Sequence, residues 1–360
     1  MGERRQEQVA DADRGATTIP VGVVGASGYG GAELVRLLAD HPALSVAVVT
    51  GGEQAGRRLD DSLPSLTGLE AGAMVLAPSM PEALAGCELV LLATPHGPSL
   101  ELAPTLVDRG QLVVDLSGAF RLDAAAFATH YGQPHPCPER TPAPYGLPEL
   151  FRDDLADAAL IAGPGCYPTA TLLALAPLLG LIDPDTVVVS GLSGTSGAGR
   201  KQREDLHASH AFGNAAPYGL PSHRHRPEIA ARCADLSGRT PRVSFAPHLA
   251  PTSRGQLCTV VADLADGVGP AAPRDALVAR YADEPLVHVL EPGAWPHTAH
   301  VVGSAGAHLA AAVDEEAGRV VAACALDNLL KGAASQAIQA ANVRLGLPEA
   351  SGLPVAGVYP

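Results

Sequence analysis

Apolar residues first gather in Pro20–Val24, which reads as a buried strand, and helical spacing begins after the glycine turn in "VGVVGASGYGGAELVRLLADHP". The helical pattern stops near His41 and Pro42, and "LSVAVVT" supplies a second strand. Strand, turn, helix and strand in this order make a βαβ unit with glycines at Gly25, Gly28 and Gly31. Their spacing is GxxGxxG rather than GxGxxG. Such a turn serves tight strand-to-helix packing or offers helix amides to a phosphate, and its place at the head of a helix favours nucleotide binding.

The runs "CELVLLAT" and "QLVVDLSG" add strands, separated by the helical-looking "GPSLELAPTLVDRG". They end at Thr94 and at Ser117-Gly118, where a cofactor crosses the carboxyl ends of a parallel sheet, although ordinary loops also favour these residue types. From "TVVVSGLSGTSGAGR" onward the strand candidates "PRVSFAPHL", "GQLCTVVADL" and "GRVVAACAL" follow one another with fewer helices between. This pattern predicts a second, α+β domain with a largely antiparallel sheet. The closing helix, "DNLLKGAASQAIQAANVRLG", carries small residues that suit close packing back on the first domain.

A chain of 360 residues has room for two cores, and 47% hydrophobic with 17% charged residues argues against disorder. The net charge of -14 disfavours nonspecific attraction to nucleic acid or anionic membrane, leaving a local basic pocket open. No apolar run reaches membrane-spanning length, and "MGERRQEQVADADRGATT" has no apolar signal segment, so the expectation is a cytoplasmic protein with a flexible tail over residues 1–18. Six cysteines without a C-x-x-C pair suggest neither a disulfide framework nor a zinc site.

Cys166, in "GPGCYPTA", precedes Pro168 and the apolar run "TLLALAPLL". Its sulfur is expected at a helix N-terminus, where unpaired amides favour a thiolate; the bland alternative is a small residue filling a tight turn. The other five cysteines read as packing or surface positions. A base is offered by "SHRHRPEI", where His223 and His225 stand before a Pro-started helix with Glu228 in its first turn. His225 as base with Glu228 fixing its tautomer is the preferred pairing, against a solvated basic loop or an incomplete metal site.

The ordered set "GASGYGGAEL", "DLSGAFRL", "YGLPEL", "GCYPTA", "SGTSGAGR", "HRHRPEI", "HLAPTSRGQL" and "DNLLKGAASQAIQAAN" resembles the N-acetyl-gamma-glutamyl-phosphate reductases, an arginine-biosynthesis branch of the semialdehyde dehydrogenases. The resemblance runs from about residue 19 to the C-terminus. It implies a Rossmann-type doubly wound parallel sheet over residues 19–164 plus 327–360, and a catalytic and dimerisation domain over 165–326. It further implies an NADP-dependent enzyme whose cysteine attacks a small-molecule acyl phosphate to form a thioester, working as a homodimer or homotetramer without a metal.

Carried over by motif, Cys166 matches the nucleophile and His225 the acid/base histidine. Gly25, Ser27, Gly28, Tyr29, Gly30 and Gly31 lie in motifs implied to surround the dinucleotide, with Thr94, Ser117 and Gly118, then Ser196, Gly197, Ala198, Gly199, Asn328 and Leu329. Arg121, His223, Arg224 and Arg254 fall in motifs suited to substrate anions, since guanidinium binds carboxylate or phosphate by paired hydrogen bonds. The chain departs from the family at Gly30, often a Ser or Thr, and after the second strand, where "TGGEQAGRRL" leaves NADP preference to Arg57 or Arg58. The competing readings are a reductase of aspartyl phosphate or of N-blocked aminoadipyl phosphate, a nucleotide-binding regulator without turnover, and a thiol hydrolase.

Overall fold

The computed structural model describes residues 18–358, so the expectation for the tail lies outside the described residues apart from Thr18. Strands β1 (Ile19–Val24), β2 (Leu44–Thr50), β3 (Leu89–Leu92), β4 (Leu112–Asp115) and β5 (Leu160–Ala162) form one sheet. Their order is β2-β1-β3-β4-β5 and every pairing is parallel. β3 and β4 are buried along their whole length, as expected of strands covered on both faces, which explains why they read as unbroken apolar runs. The helices Tyr29–Leu38 and His96–Asp108 make the crossovers next to β1 and β3.

A second sheet comprises β6 (Val188–Gly194), β7 (Ala216–Pro217), β8 (Ser244–Ala250), β9 (Gln256–Asp263), β10 (Val287–Val289), β11 (Ala307–Asp314) and β12 (Arg319–Leu326). Its order is β10-β11-β12-β9-β6-β8-β7, with only β10–β11 and β6–β8 parallel. The largely antiparallel second sheet expected from the closer strand spacing is therefore present.

The helix Cys166–Leu175 lies between this sheet and the helix His225–Ser237, and residues 167–175 are all buried. An all-round apolar sequence such as "TLLALAPLL" needs such a place, because it has no polar face to give to water. After β12 the chain returns to the first sheet. Helix Ala334–Arg344 shares a core with β1 and Tyr29–Leu38 through Ile338, Ala341, Leu34 and Val23. The helical pattern expected from Asp327 begins later, at Ala334, because the Asp327 carboxylate accepts the Leu329 amide at 2.8 Å and holds residues 327–333 as a turn. Lys331 in that turn is fully buried, ion-paired to Glu149 and 2.6 Å from Gln339 Oε1.

Candidate active site

The order β2-β1-β3 puts a crevice where the crossovers diverge, at the carboxyl ends of β1 and β3. β1 turns at Gly25, whose φ of +80° suits glycine and whose absent Cβ would come within 2.7 Å of the Ala93 carbonyl. A Cβ at Gly31 would fall 2.3 Å from the Gly25 carbonyl, so these two glycines let helix, turn and β3 close together. Packing is thus a complete reason for both. Gly28 caps the helix without a side-chain hydrogen bond, leaving first-turn amides open to an anion. At Gly30 a Cβ meets nothing nearer than 3.9 Å, so the side chain missing there is not excluded by space.

A cleft of about 580 Å³ joins this turn to the second domain. Gly28, Tyr29 and Gly30 line it with Ser117, Gly118 and Cys166, and residues 196–199, Asn328 and Leu329 close another side. Arg121, Arg224 and His225 complete the wall. Gly25, Ser27, Gly31, Thr94, His223, Glu228 and Arg254 stand behind or beside it. The Thr94 hydroxyl pairs with Ser99 Oγ at 3.0 Å, and the Ser117 hydroxyl donates to Asp115 at 2.7 Å, so both are engaged within the protein. Asn328 links Ser196 Oγ (2.9 Å) to the Gly255 amide (2.9 Å), bracing the two sides.

Cys166 opens its helix as expected, with Gly165 at the cap and Pro168 in the first turn, where no amide is lost. The expected lowered pKa is not what the surroundings produce. Burial pushes the thiol up to about 11, outweighing the pull of the Tyr167 amide and of Arg121. Gly332 presses on it from the other side, since a Cβ there would lie 2.7 Å from Cys166 Cβ. His225 stands close by: a Cβ on Gly165 would meet His225 Nε2 at 2.5 Å and Arg121 Nη1 at 2.8 Å. Burial, followed by His223 and the two arginines, holds His225 well below 6.5, so the imidazole is neutral.

The expected pairing of His225 with Glu228 is corrected by the geometry. His225 Nδ1 is buried without a hydrogen-bond partner, whereas the Glu228 carboxylate accepts from Tyr145 Oη (2.6 Å), Gly165 N (2.9 Å) and Arg121 Nη1 (3.1 Å). Glu228 therefore holds the cap of the Cys166 helix and the buried Arg121. Arg121 also donates to the carbonyls of Gly163 (2.8 Å) and Leu116 (2.7 Å). His223 packs among Tyr167, Tyr218 and Phe245, and its Nδ1 accepts the His225 backbone amide at 3.2 Å. Arg254 is drawn away from the cleft by ion pairs to Glu33 and Asp327, and lines a neighbouring cavity of about 760 Å³.

His96 and Tyr131, which no motif in the sequence singles out, also line the cleft. A Cβ on Gly118 would strike the Tyr131 hydroxyl at 1.9 Å, and Arg224 lies 5.8 Å from the Tyr131 ring centre. His96 had a signal in its place after β3; Tyr131, within "HYGQPHP", had none.

Residues 20–158 match the family model described as "Semialdehyde dehydrogenase, NAD binding domain", and residues 166–328 match "Semialdehyde dehydrogenase, dimerisation domain". N-acetyl-gamma-glutamyl-phosphate reductase from Acidothermus cellulolyticus is 48% identical over 346 residues, covering 94% of this chain and 99% of that protein. The chain belongs to the N-acetyl-gamma-glutamyl-phosphate reductase family. Family members from Salinispora tropica (48% identity, 95% and 99% coverage) and Thermosynechococcus vestitus (43%, 95% and 99%) agree. Beyond the reductase family the fold continues into aspartate semialdehyde dehydrogenase II of Vibrio cholerae, with a TM-score of 0.72 at 15% identity over 92% of this chain and 99% of that one. The Candida albicans aspartate semialdehyde dehydrogenase, solved with NADP, gives 0.69 at 14% identity over 91% and 98%. At such identities the likeness speaks for the fold alone.

Proposed function

We propose that the protein reduces N-acetyl-gamma-glutamyl phosphate to N-acetylglutamate 5-semialdehyde and phosphate with NADPH, a step of arginine biosynthesis in the cytoplasm. Family membership gives the reaction, and the observation carrying the site assignment is the single cleft in which Cys166, His225, Arg121 and Arg224 meet the glycine turn. The open first-turn amides behind Gly28 fit the pyrophosphate of a dinucleotide, whose nicotinamide supplies the hydride when bound. In this reading residues 19–164 with 327–360 bind the dinucleotide and 165–326 carry the chemistry.

Cys166 attacks the acyl carbon as His225 takes its proton, and the departing phosphate is held by the remaining N–H groups of Arg121. The thioester accepts hydride more readily than a carboxylate would. Imidazolium at His225 and the amides of the Cys166 helix then steady the oxyanion until the aldehyde leaves and the sulfur regains its proton. Arg224, at the Tyr131 side of the cleft, suits the substrate's distal carboxylate. Glu228 acts through Arg121 and the helix cap, as a positioning residue.

The protein also assembles with itself in this reading. On the face of the second sheet away from the helices, exposed Val188 and Leu192 continue across the strands through partly exposed Leu257, Val261 and Val321, an apolar stripe that suits a second copy. The decisive experiment is the phosphate-dependent oxidation of N-acetylglutamate semialdehyde, followed by reduced-nicotinamide absorbance. Turnover with this aldehyde, and none with aspartate semialdehyde or an N-blocked aminoadipate semialdehyde, is expected. The reverse preference would move the assignment to a related reductase.

A further inference from the structure

Arg200 follows the 196–199 loop of the second domain and reaches across to the first. Its Nη1 donates to the Ser27 carbonyl at 2.9 Å and its Nη2 to the Ser62 carbonyl at 2.8 Å. Ser27 lies in the turn after β1, and Ser62 closes the short helix Leu59–Ser62 that follows the β2 strand. The guanidinium therefore bridges the glycine turn and the segment after β2. In a doubly wound sheet these two segments flank the ribose of the adenosine half of a dinucleotide, where a carboxylate selects a 2′-hydroxyl and an arginine a 2′-phosphate.

Its partners and its place set Arg200 apart from Arg58 and Arg254, the ion-paired arginines near the turn. Both of its partners are neutral carbonyls, so no carboxylate cancels its charge, and two of the five N–H donors of a guanidinium are used. Arg58, by contrast, gives Nε and Nη2 to the two oxygens of Asp60 at 2.9 and 2.7 Å. Arg254 is held by Glu33 and Asp327. Arg200 also lines both the Cys166 cleft and the neighbouring cavity, with Tyr29 and Lys201 beside it in each. At the end of β2 the chain has Gly51 and Gly52 in place of a ribose-binding carboxylate, and the next acid, Glu53, is exposed.

We propose that Arg200 recognises the 2′-phosphate of the dinucleotide, so that the choice of NADP over NAD is made by a residue delivered from the catalytic domain. This rests on the NADP reading above and replaces Arg57 and Arg58 as selectors. Because the same side chain joins the domains, a bound 2′-phosphate tightens the bridge over the glycine turn.

The test is calorimetric binding of 2′,5′-ADP and 5′-AMP to the full chain, with NADPH and NADH affinities measured alongside. Arg200→Ala is expected to weaken 2′,5′-ADP by about tenfold to a hundredfold, the range of one charge-assisted contact, and 5′-AMP by less than about twofold. Arg200→Lys is expected to keep part of the preference, and Arg57→Ala/Arg58→Ala to leave it unchanged. Equal weakening of both nucleotides by Arg200→Ala, or none, at an unchanged melting temperature would overturn the proposal and leave Arg200 an interdomain strut. A parent protein that binds NADH as tightly as NADPH would overturn the NADP reading itself, a result visible before any variant is made.

Discussion

Replacing Glu228 separates two accounts of the same residue. Its carboxylate is 2% exposed and accepts from Tyr145, the Gly165 amide and Arg121, whose own side chain is 7% exposed. In Glu228→Ala the guanidinium is left buried beside a cavity, and breaking a buried ion pair from one side costs about 3–5 kcal/mol. Glu228→Gln keeps the shape but turns an N–H donor toward one of three donors, so about 1.5–3 kcal/mol is expected, the scale of a hydrogen bond to a charged group. Urea unfolding should show lower midpoints in the order parent, Gln, Ala, at unchanged slope.

Single-turnover hydride transfer across pH supplies the other half of the test. If Glu228 holds Arg121 and the Cys166 helix cap, the Gln variant raises KM for the acyl phosphate while the pH profile keeps its shape. If instead Glu228 sets the basicity of His225, as its place three residues along the helix suggests, the profile shifts and the midpoint stays. A Gln variant with the parent's midpoint and KM would refute the reasoning from geometry.

Alkylation of Cys166 by iodoacetamide should climb steadily from pH 7 to beyond 9 in the free protein, because a thiol pushed up to about 11 is about one part in a thousand thiolate at pH 8; a plateau below pH 8 would contradict this. His225→Asn should lower the chemical rate by roughly 10²-fold to 10⁴-fold with cofactor binding intact, and His223→Asn, which loses an aromatic-cluster contact and a backbone acceptor, should do less; parent rates in His225→Asn would move the base elsewhere. The acid limb of kcat/KM should fall at a pH below 6.5, since burial holds His225 well below that value and the limb appears only as the free imidazole gains a proton. Gly165→Ala would place a methyl 2.5 Å from His225 Nε2, so overpacking of about 1–3 kcal/mol and a loss of rate are expected together, measured by melting and by turnover.

What the sequence made legible follows from how local each cause is. The glycine turn, the start of the Cys166 helix and strands β6, β8, β9 and β12 are written in short-range patterns: apolar runs, β-branched residues and a proline in the first helical turn. β11 carries no local strand signal, because "AHLAAAVD" is rich in alanine, which is depleted in strands; pairing with β12 along all eight of its residues gives it that form. The partners of Glu228 are hidden from the sequence for a related reason. Three residues from His225 on one helix, it invites a local pairing, but its carboxylate is taken by Arg121 and Tyr145, 107 and 83 positions away. The Cys166 thiol likewise has a readable helix start and an unreadable cover, since Gly332 comes from the far end of the chain.

The electrostatics of the cleft join these corrections into one account. A chain of net charge -14 gathers Arg121, Arg224, Arg200 and Lys201 around a single cleft, so the overall charge hides the local sign. Two neutral groups stand among these cations: a thiol pushed up to about 11 and an imidazole held well below 6.5. Transfer of the thiol proton to His225 would make a thiolate and an imidazolium that burial opposes at both ends, which keeps Cys166 quiet in the free protein. In the proposed reaction an acyl phosphate brings the missing negative charge to Arg121 and His225. It favours the imidazolium, and the sulfur's developing charge passes into the new carbon–sulfur bond and out with the phosphate. In the proposed reaction the reactive pair is thus formed by the substrate it acts on, and the lowered thiol pKa expected from the helix start alone is not required.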